Sequence, residues 1–420
     1  MNLFGGVIPV TGITFLIFCV FSILFVGYAF GRINIKGVSL GDAGVFFIAL
    51  IFGVFFYDKL DAQLTIKVGD SVKSYTDQAL TIIENLGLIL FVTSVGFIAG
   101  PKFFGNMKKN LKSYVLLGLI IILAGGLATA GCILLGRNVF GFGGSITDPA
   151  AFTAMIVGIL SGALTSTPAF SAAKASVAPE FEGLVSVGHS IAYIFGVIGV
   201  VLFVQLIPKI VKADMTAERA KLTQIDTGAK EKKAGTLRLD DHGIGVFALA
   251  AVLGAVIGKI KIPLTGEGLS GTCFSLTSTG GCLLVSLVFG HFGRIGSLNI
   301  MPSQHTLKLF RELGLVLFLV GAGIPGGSEF VANFDPMYFV YGIIITIIPM
   351  IIGFLFAKYV LKLSLLNNLG SLTGGMTSTP ALGTLINVAG TEEVASAYAA
   401  TYPIALISVV LISQFLIVLF

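Results

Sequence analysis

The chain has 420 residues, 55% of them hydrophobic and only 11% charged, with 54 glycines and a formal net charge of +5. No water-soluble fold of this length can hide that much apolar surface, so the composition excludes a soluble enzyme or binding module and points to an all-α polytopic membrane protein. The basic excess is small and concentrated in a few loops, a pattern that orients a chain in a bilayer and does not bind nucleic acid.

Met1 to Val10 has no basic n-region and runs straight into an apolar segment, so the first helix is expected to stay as a span. Apolar stretches lie at residues 8–30, 43–56, 82–99, 113–136, 150–176 and 184–208. A charged segment from Lys209 to His242 follows, and then further stretches at 243–260, 272–290, 312–325, 337–357, 368–388 and 396–420. The second set repeats the first. Gly27-x3-Gly31 recurs as Gly254-x3-Gly258, and Ile51-Phe52-Gly53 as Val288-Phe289-Gly290. Leu86-Gly87-Leu88 recurs as Leu313-Gly314-Leu315, Gly96 and Gly100 match Gly323 and Gly327, and Tyr193 matches Tyr402. Order is kept throughout, which predicts two internal repeats, 1–208 and 243–420, joined by a linker at 209–242. Cys19, Cys132, Cys273 and Cys282 fall in apolar segments without metal-ligand spacing; they read as packing residues, and no disulfide, metal or cofactor is expected.

Two hydroxyl-rich stretches interrupt the apolar pattern: Gly162-Ala-Leu-Thr165-Ser166-Thr167-Pro168-Ala169 and Gly374-Gly375-Met-Thr377-Ser378-Thr379-Pro380-Ala381. Thr-Pro reads as a helix start, with Thr167 and Thr379 as N-caps and the prolines at the first helical position. A helix that begins inside a membrane presents free N–H groups and a positive dipole end, which suit an anion. Gly162, Gly374 and Gly375 are expected to allow the turn and a close backbone approach.

Orientation follows from the lysines. Gly100 to Lys112, read as a loop, and the linker both carry several cations and are expected on the cytoplasmic side. Both reach that side if the stretch around Thr165-Ser166-Thr167-Pro168 is a re-entrant hairpin, around 150–176, and the repeat gives the second half its own at 368–388. Each half then has five spans plus a hairpin, which makes the repeats inverted, puts both termini outside and lets the hairpins enter from opposite faces. The linker reads as a solvated connector with a short helix near Thr216 to Leu222.

Paired Gly-x2-Thr-Ser-Thr-Pro-Ala motifs, inverted repeats and a hydrophilic middle resemble the aspartate-alanine exchanger family of bacterial secondary transporters. The resemblance implies an elevator-type homodimer of the bacterial inner membrane that moves L-aspartate, with exchange for L-alanine left open against uniport. A di- or tricarboxylate or other anion symporter of the same plan is the alternative. Longer members of that family carry soluble regulatory domains between the halves, where this chain has only the short linker. The expected site is Thr165, Ser166, Thr167, Pro168, Ala169, Thr377, Ser378, Thr379, Pro380 and Ala381, whose N–H and hydroxyl groups receive two carboxylates.

Intramembrane ionisable groups are scarce and so informative. Glu84, beside Asn85, and Arg311, beside Glu312, hold matching places and read as an interfacial ion pair or as substrate contacts. His189 is a structural histidine or the carrier of a coupled proton. Asp148 caps the first hairpin arm, and Tyr193 and Tyr402 pack behind the hairpins or line the site. Two rival readings remain: Ser94-Val95-Gly96-Phe97 and Val26-Gly27-Tyr28 resemble pieces of a potassium-channel filter, and Ser161 with His189 would serve an intramembrane hydrolase.

Overall fold

The computed structural model describes residues 2–3, 8–35, 38–39, 43–68, 71–139, 146–223, 237–263, 268, 273–333 and 336–420. In chain order the helices are α1 (Gly12–Gly31), α2 (Ala43–Asp61), α3 (Thr76–Asn138), α4 (Pro149–Ala163), α5 (Thr167–Ser176), α6 (Glu182–Ile210) and α7 (Met215–Thr223). They continue with α8 (Ile244–Gly258), α9 (Thr277–Phe292), α10 (Gln304–Asn333), α11 (Pro336–Leu355), α12 (Leu365–Gly375), α13 (Thr379–Ala389) and α14 (Val394–Leu419). Among the described residues six helical segments are long and apolar enough to cross a membrane: Gly12–Gly31, Thr76–Ile98, Lys112–Asn138, Pro179–Ile210, Pro336–Val360 and Val394–Leu419. Short antiparallel strand pairs connect some of the helices, such as Thr65–Val68 with Ser71–Ser74 before α3 and Arg294–Ile295 with Leu298–Asn299 before α10.

Two compact units divide the chain, and each draws on both sequence halves. The first holds Met1–Phe91 and Glu312–Asn333. In it α1 buries Leu16, Cys19, Val20, Ile23, Leu24, Gly27 and Gly31, a stripe at helical spacing, and exposes Ile13, Ile17, Phe18, Phe21 and Phe25, as a lipid-facing helix does. Hydrophobic exclusion does not drive apolar helices together in lipid, so close backbone approach must. A Cβ on Gly27 would lie 2.6 Å from the Val45 Cα, and one on Gly44 2.5 Å from the Gly31 Cα, so α1 and α2 cross antiparallel on these positions. α2 meets α10 in the same way, with Gly327 against the Leu50 carbonyl and Gly53 against that of Ile324. Finally, a Cβ on Gly87 would stand 2.4 Å from the Phe318 nitrogen and 2.6 Å from the Gly314 oxygen, while one on Gly314 would stand 2.4 Å from the Phe91 nitrogen and 2.6 Å from the Gly87 oxygen. That crossing is antiparallel, and it joins residues that the sequence repeat makes equivalent.

The second unit holds Val92–Arg311 and Phe334–Phe420. Here α8 and α9 cross antiparallel on Gly254 against Cys282 and Gly258 against Gly281, the counterparts of Gly27–Val45 and Gly31–Gly44. α9 meets α3 through Gly100 against the Leu287 carbonyl and Gly290 against that of Phe97, the counterparts of the α2–α10 contacts. The repeated glycines thus make the same contacts twice. Both Thr-Ser-Thr-Pro stretches lie in this unit, with the second span of α3 packed beside them: Gly375 faces the Ile121 side chain, and the Tyr114 hydroxyl donates to Asn367 Oδ1 at 3.3 Å.

Several expectations change. Gly100 to Lys112 is helical backbone within α3 and not a loop, since a segment with one proline and lysines that favour helix can continue the helix past the apolar span; the side chains of 102–111 lie outside the described residues. The short linker helix is present as α7, slightly longer than expected, while residues 224–236 lie outside the described residues. Cys19, Cys132 and Cys282 are buried, and the Cys273 side chain lies outside the described residues.

Candidate functional site: two helix breaks that meet

α4 begins at Asp148, whose carboxylate accepts the N–H groups of Ala150 at 2.7 Å and Ala151 at 2.9 Å, and from Ala151 to Ala163 every residue is buried. The helix then stops abruptly. Leu164 N–H donates to the Leu160 carbonyl at 3.1 Å, Thr165 N–H to Gly162 at 2.8 Å and Ser166 N–H to Ser161 at 2.8 Å. This is the pattern of a helix end closed by a left-handed residue, normally a glycine. Here the position is filled by Thr165, with φ +48°. A β-branched side chain is disfavoured in that geometry by roughly 1–2 kcal/mol. Ser166 next caps α5, its Oγ accepting the Ala169 N–H at 3.3 Å.

The second break repeats the first. Met376 N–H donates to Leu372 at 2.8 Å, Thr377 N–H to Gly374 at 3.1 Å and Ser378 N–H to Thr373 at 3.0 Å, and Thr377 has φ +50°. Ser378 is the residue before α13, but its hydroxyl is buried without a hydrogen-bond partner among the described residues. The caps are therefore Ser166 and Ser378, not Thr167 and Thr379, and each Thr-Pro pair sits one position further into its helix. The left-handed threonine uses up one residue of the connection, which moves each helix start. The side chain of Thr167 lies outside the described residues.

Both segments are hairpins. Gly158 faces Val185 and Gly162 faces His189, so α6 runs parallel to α4, and α5 must carry the chain back between them. Gly370 against Val394 and Gly374 against Tyr398 give α12 and α14 the same parallel relation, with α13 as the return. None of the arms reaches the length of about 20 residues that a span needs: α4 has 15, α5 10, and α12 and α13 11 each. Gly162 and Gly374 serve this packing rather than the turn. A Cβ on Gly162 would meet the His189 carbonyl at 2.2 Å, and one on Gly374 that of Tyr398 at 2.5 Å.

The two tips touch. Thr165 Oγ1 donates to the Thr377 carbonyl at 3.2 Å, and Thr377 Oγ1 donates to the Leu164 carbonyl. Two of the hydroxyls expected to face a ligand are thus engaged with backbone carbonyls of the opposite tip. Thr379 Oγ1 lies 3.4 Å from the Tyr398 hydroxyl, whose ring stacks on Tyr402 with centroids 5.2 Å apart. Surroundings differ between the tips: residues 371–386 are buried throughout, while Thr165, Pro168 and Phe170 are half-buried, with Ala169 buried between them. Pro380 and Ala381 are enclosed with the rest of the second tip. The hydroxyl and backbone N–H donors of both tips are neutral, and the field of the site comes from the helix starts of α5 and α13.

His189, in the position equivalent to Tyr398, backs the first tip. Its Nδ1 lies 2.8 Å from Ser161 Oγ, which donates to the Gly158 carbonyl at 2.7 Å. The single hydroxyl proton is used in that bond, so the imidazole is the donor to Ser161. The ring is flanked by Phe170 at 4.6 Å and Tyr193 at 5.5 Å. Ser161 is therefore a fully buried link and not a poised nucleophile, which argues against hydrolysis. The channel reading also loses its basis: Ser94, fully buried, lies inside α3 and Val26-Gly27-Tyr28 inside α1, and helical carbonyls are not free to coordinate an ion.

The ionisable residues separate. Arg311 pairs with Glu392 at 2.6 Å, a partner not foreseen from sequence, because the loop after α13 folds back to it. Glu84 is half-buried in the first unit, its backbone against Gly321, while Asn85 donates to the Thr81 carbonyl at 2.8 Å. Among the described residues no group of three or more His, Cys, Asp or Glu is arranged to hold a metal ion.

Comparison with known proteins matches the chain to a family profile described as a predicted permease membrane region (Asp-Al_Ex), over residues 19–209 and again over 246–418. It is similar to an uncharacterized transporter of Bacteroides fragilis, 26% identical with 94% of this chain and 97% of that protein covered. An uncharacterized transporter of Desulfotalea psychrophila is 24% identical, with 96% of each chain covered. A putative transport protein of Klebsiella pneumoniae is 24% identical over 94% of this chain and 96% of its own length.

Proposed function

Because the chain belongs to the aspartate-alanine exchanger family of permeases, we propose that it is a secondary transporter for a small acidic amino acid, L-aspartate first, with L-alanine as candidate counter-substrate. It is a multi-pass membrane transporter rather than an enzyme. The observation that carries the substrate reading is the meeting of two broken helices at Thr165 and Thr377. Each break presents the start of a helix, α5 or α13, whose first N–H groups have no intrahelical partner. Two such starts with neutral hydroxyls beside them, including that of Ser378, which has no partner among the described residues, match a solute with two carboxylates. Neutral donors hold an anion without a fixed counter-charge, so it can leave again.

The repeat supports an alternating-access reading. Equivalent residues Gly87 and Gly314 meet in an antiparallel crossing, which is what a two-fold axis in the membrane plane produces and so supports inverted halves. Two matches of one family profile, one per half, support the same reading. Both hairpins belong to one compact unit, so a single body carries the whole site, as an elevator requires. On the family resemblance we place the protein as a homodimer in the inner membrane, with α7 cytoplasmic and both termini outside.

Counterflow into proteoliposomes preloaded with L-aspartate tests this. Saturable uptake of labelled L-aspartate, stimulated by internal L-aspartate or L-alanine and independent of sodium and pH gradients, is the expected result. Uptake confined to di- or tricarboxylates and driven by an ion gradient would replace it with the anion-symporter reading.

A further inference from the structure

α7 lies at the open end of the second hairpin, away from its tip. Glu218 Oε2 accepts the backbone N–H of Leu365, the first residue of α12, at 2.9 Å. Its neighbour Arg219 donates from Nη1 to the carbonyl of Ala389, the last residue of α13, at 3.1 Å. A Cβ on Gly390 would stand 2.8 Å from that same nitrogen, so the guanidinium packs on the left-handed residue, φ +63°, that closes α13. Two adjacent side chains thus hold the two ends of one hairpin. Their charges have the stabilising sense, a carboxylate at a helix start and a cation at a helix end.

α7 is itself fixed. It follows α6 through a tight turn in which Lys212 has φ +50° and Ala213 N–H donates to the Pro208 carbonyl at 2.9 Å. Asp214 then starts α7 by accepting the N–H groups of Thr216 at 2.9 Å and Ala217 at 3.2 Å. Since α6 lies along the first hairpin, α7 is a short strut from the helix behind one hairpin to the base of the other. Exposed ion pairs contribute little. Here, however, the partners are backbone groups at helix ends, and the arms beyond them are stiff rods of about 16 Å that carry any shift at the base to the tip.

We propose that Glu218 and Arg219 are positioning residues of the transport site: they clamp the base of the second hairpin and thereby fix where Thr377 and Ser378 stand against the first tip. This rests on the reading of the tips as the substrate site. The test uses the full-length purified protein in proteoliposomes, with Glu218→Ala, Arg219→Ala and Glu218→Gln, and rates normalised to folded protein. Loss of one such hydrogen bond at the base raises KM for L-aspartate about five- to ten-fold in both alanine variants, with Vmax within about two-fold of the parent. Glu218→Gln keeps an oxygen for the Leu365 N–H and stays near the parent KM.

A second readout needs no substrate. Ser378→Cys, in each background, is labelled by a membrane-permeant maleimide and quantified by site-resolved mass spectrometry. Labelling several-fold faster in the alanine variants, and slow in the parent and Glu218→Gln, supports the clamp. Equal labelling in all four, or an unchanged KM with a fall in Vmax alone, overturns it. If the parent carries no acidic amino acid, the substrate reading fails, while labelling still decides the clamp.

Discussion

Thr165 and Thr377 hold one another: the hydroxyl of each donates to a backbone carbonyl of the opposite tip, and both residues stand in left-handed backbone geometry. Neither would be chosen by local preference, since glycine or asparagine fills such positions without strain. Two β-branched residues there, each bonded to the backbone of the opposite tip, mark the tips as a place where contact outweighs local comfort.

Thr377→Val should leave the Leu164 carbonyl without its donor, a cost of about 1–3 kcal/mol in a buried setting, seen as a loss of L-aspartate affinity of up to roughly 150-fold. Thr377→Ser restores the hydroxyl and should recover most of it. Binding isotherms on the two purified variants check this, and an affinity unchanged in Thr377→Val would remove the hydroxyl from the site.

Ser378 separates binding from folding. Its hydroxyl is buried and has no partner among the described residues, so Ser378→Ala should leave the melting temperature unchanged or slightly raised. If the hydroxyl meets the substrate, the same variant should lose about 3- to 10-fold in affinity. A lowered melting temperature with unchanged affinity would make it a structural residue.

Glycine substitutions should sort by what a Cβ meets. At Gly87 and Gly314 it meets backbone, which cannot move aside, so Gly87→Ala and Gly314→Ala should destabilise by about 1–3 kcal/mol or more. A Cβ on Gly131 would meet nothing within 4 Å among the described residues, and Gly131→Ala should stabilise α3 by about 0.5–1 kcal/mol through helix propensity alone. Thermal unfolding in detergent, read by fluorescence, ranks the three.

How much of this was legible follows from the range of each interaction. The two breaks could be read because Thr-Ser-Thr-Pro is out of place in an apolar run, and its duplication gave the repeat. The cap register could not: Thr-Pro fits the cap and first position as well as the first and second, and only the left-handed Thr165 and Thr377 decide between them. Gly162 and Gly374 read as turn and close-approach residues together, because glycine signals both, and sequence does not say that the His189 and Tyr398 carbonyls are what they approach. The place of His189 behind the first tip was available from the register that matches Tyr193 to Tyr402, which sets His189 opposite Tyr398. Glu218 and Arg219 were hidden, since charges in a polar linker look like solvated ones until their backbone partners are seen.

Arg311 and Glu392 form an ion pair whose side chains are only 11% and 20% exposed. Removing either partner leaves a largely buried charge, so Arg311→Ala and Glu392→Ala should each cost about 3 kcal/mol or more, and the double variant clearly less than the sum. A double-mutant cycle on unfolding free energy is the check, and strict additivity would show the pair to be uncoupled.

Asp240 accepts the N–H groups of Ile244 and Gly245, both at 2.8 Å, at the start of α8. Those bonds, the Gly245 bond first, hold its carboxyl below the ordinary value of 3.8, against a small opposing effect of desolvation. The carboxylate therefore favours the fold above about pH 4 and ceases to do so as the pH falls through the depressed value. Asp240→Ala should lower the melting temperature at pH 7, and the gap from the parent should narrow toward pH 3.

The Gly87–Gly314 crossing looks the same from either helix, as the contact face of a symmetric dimer does. A surface that complements its own duplicate is what two separate copies of a half-length polypeptide would need to pair antiparallel. Joined in one chain, the two faces can be altered independently, so a change at one of these two glycines disturbs only half of the seam.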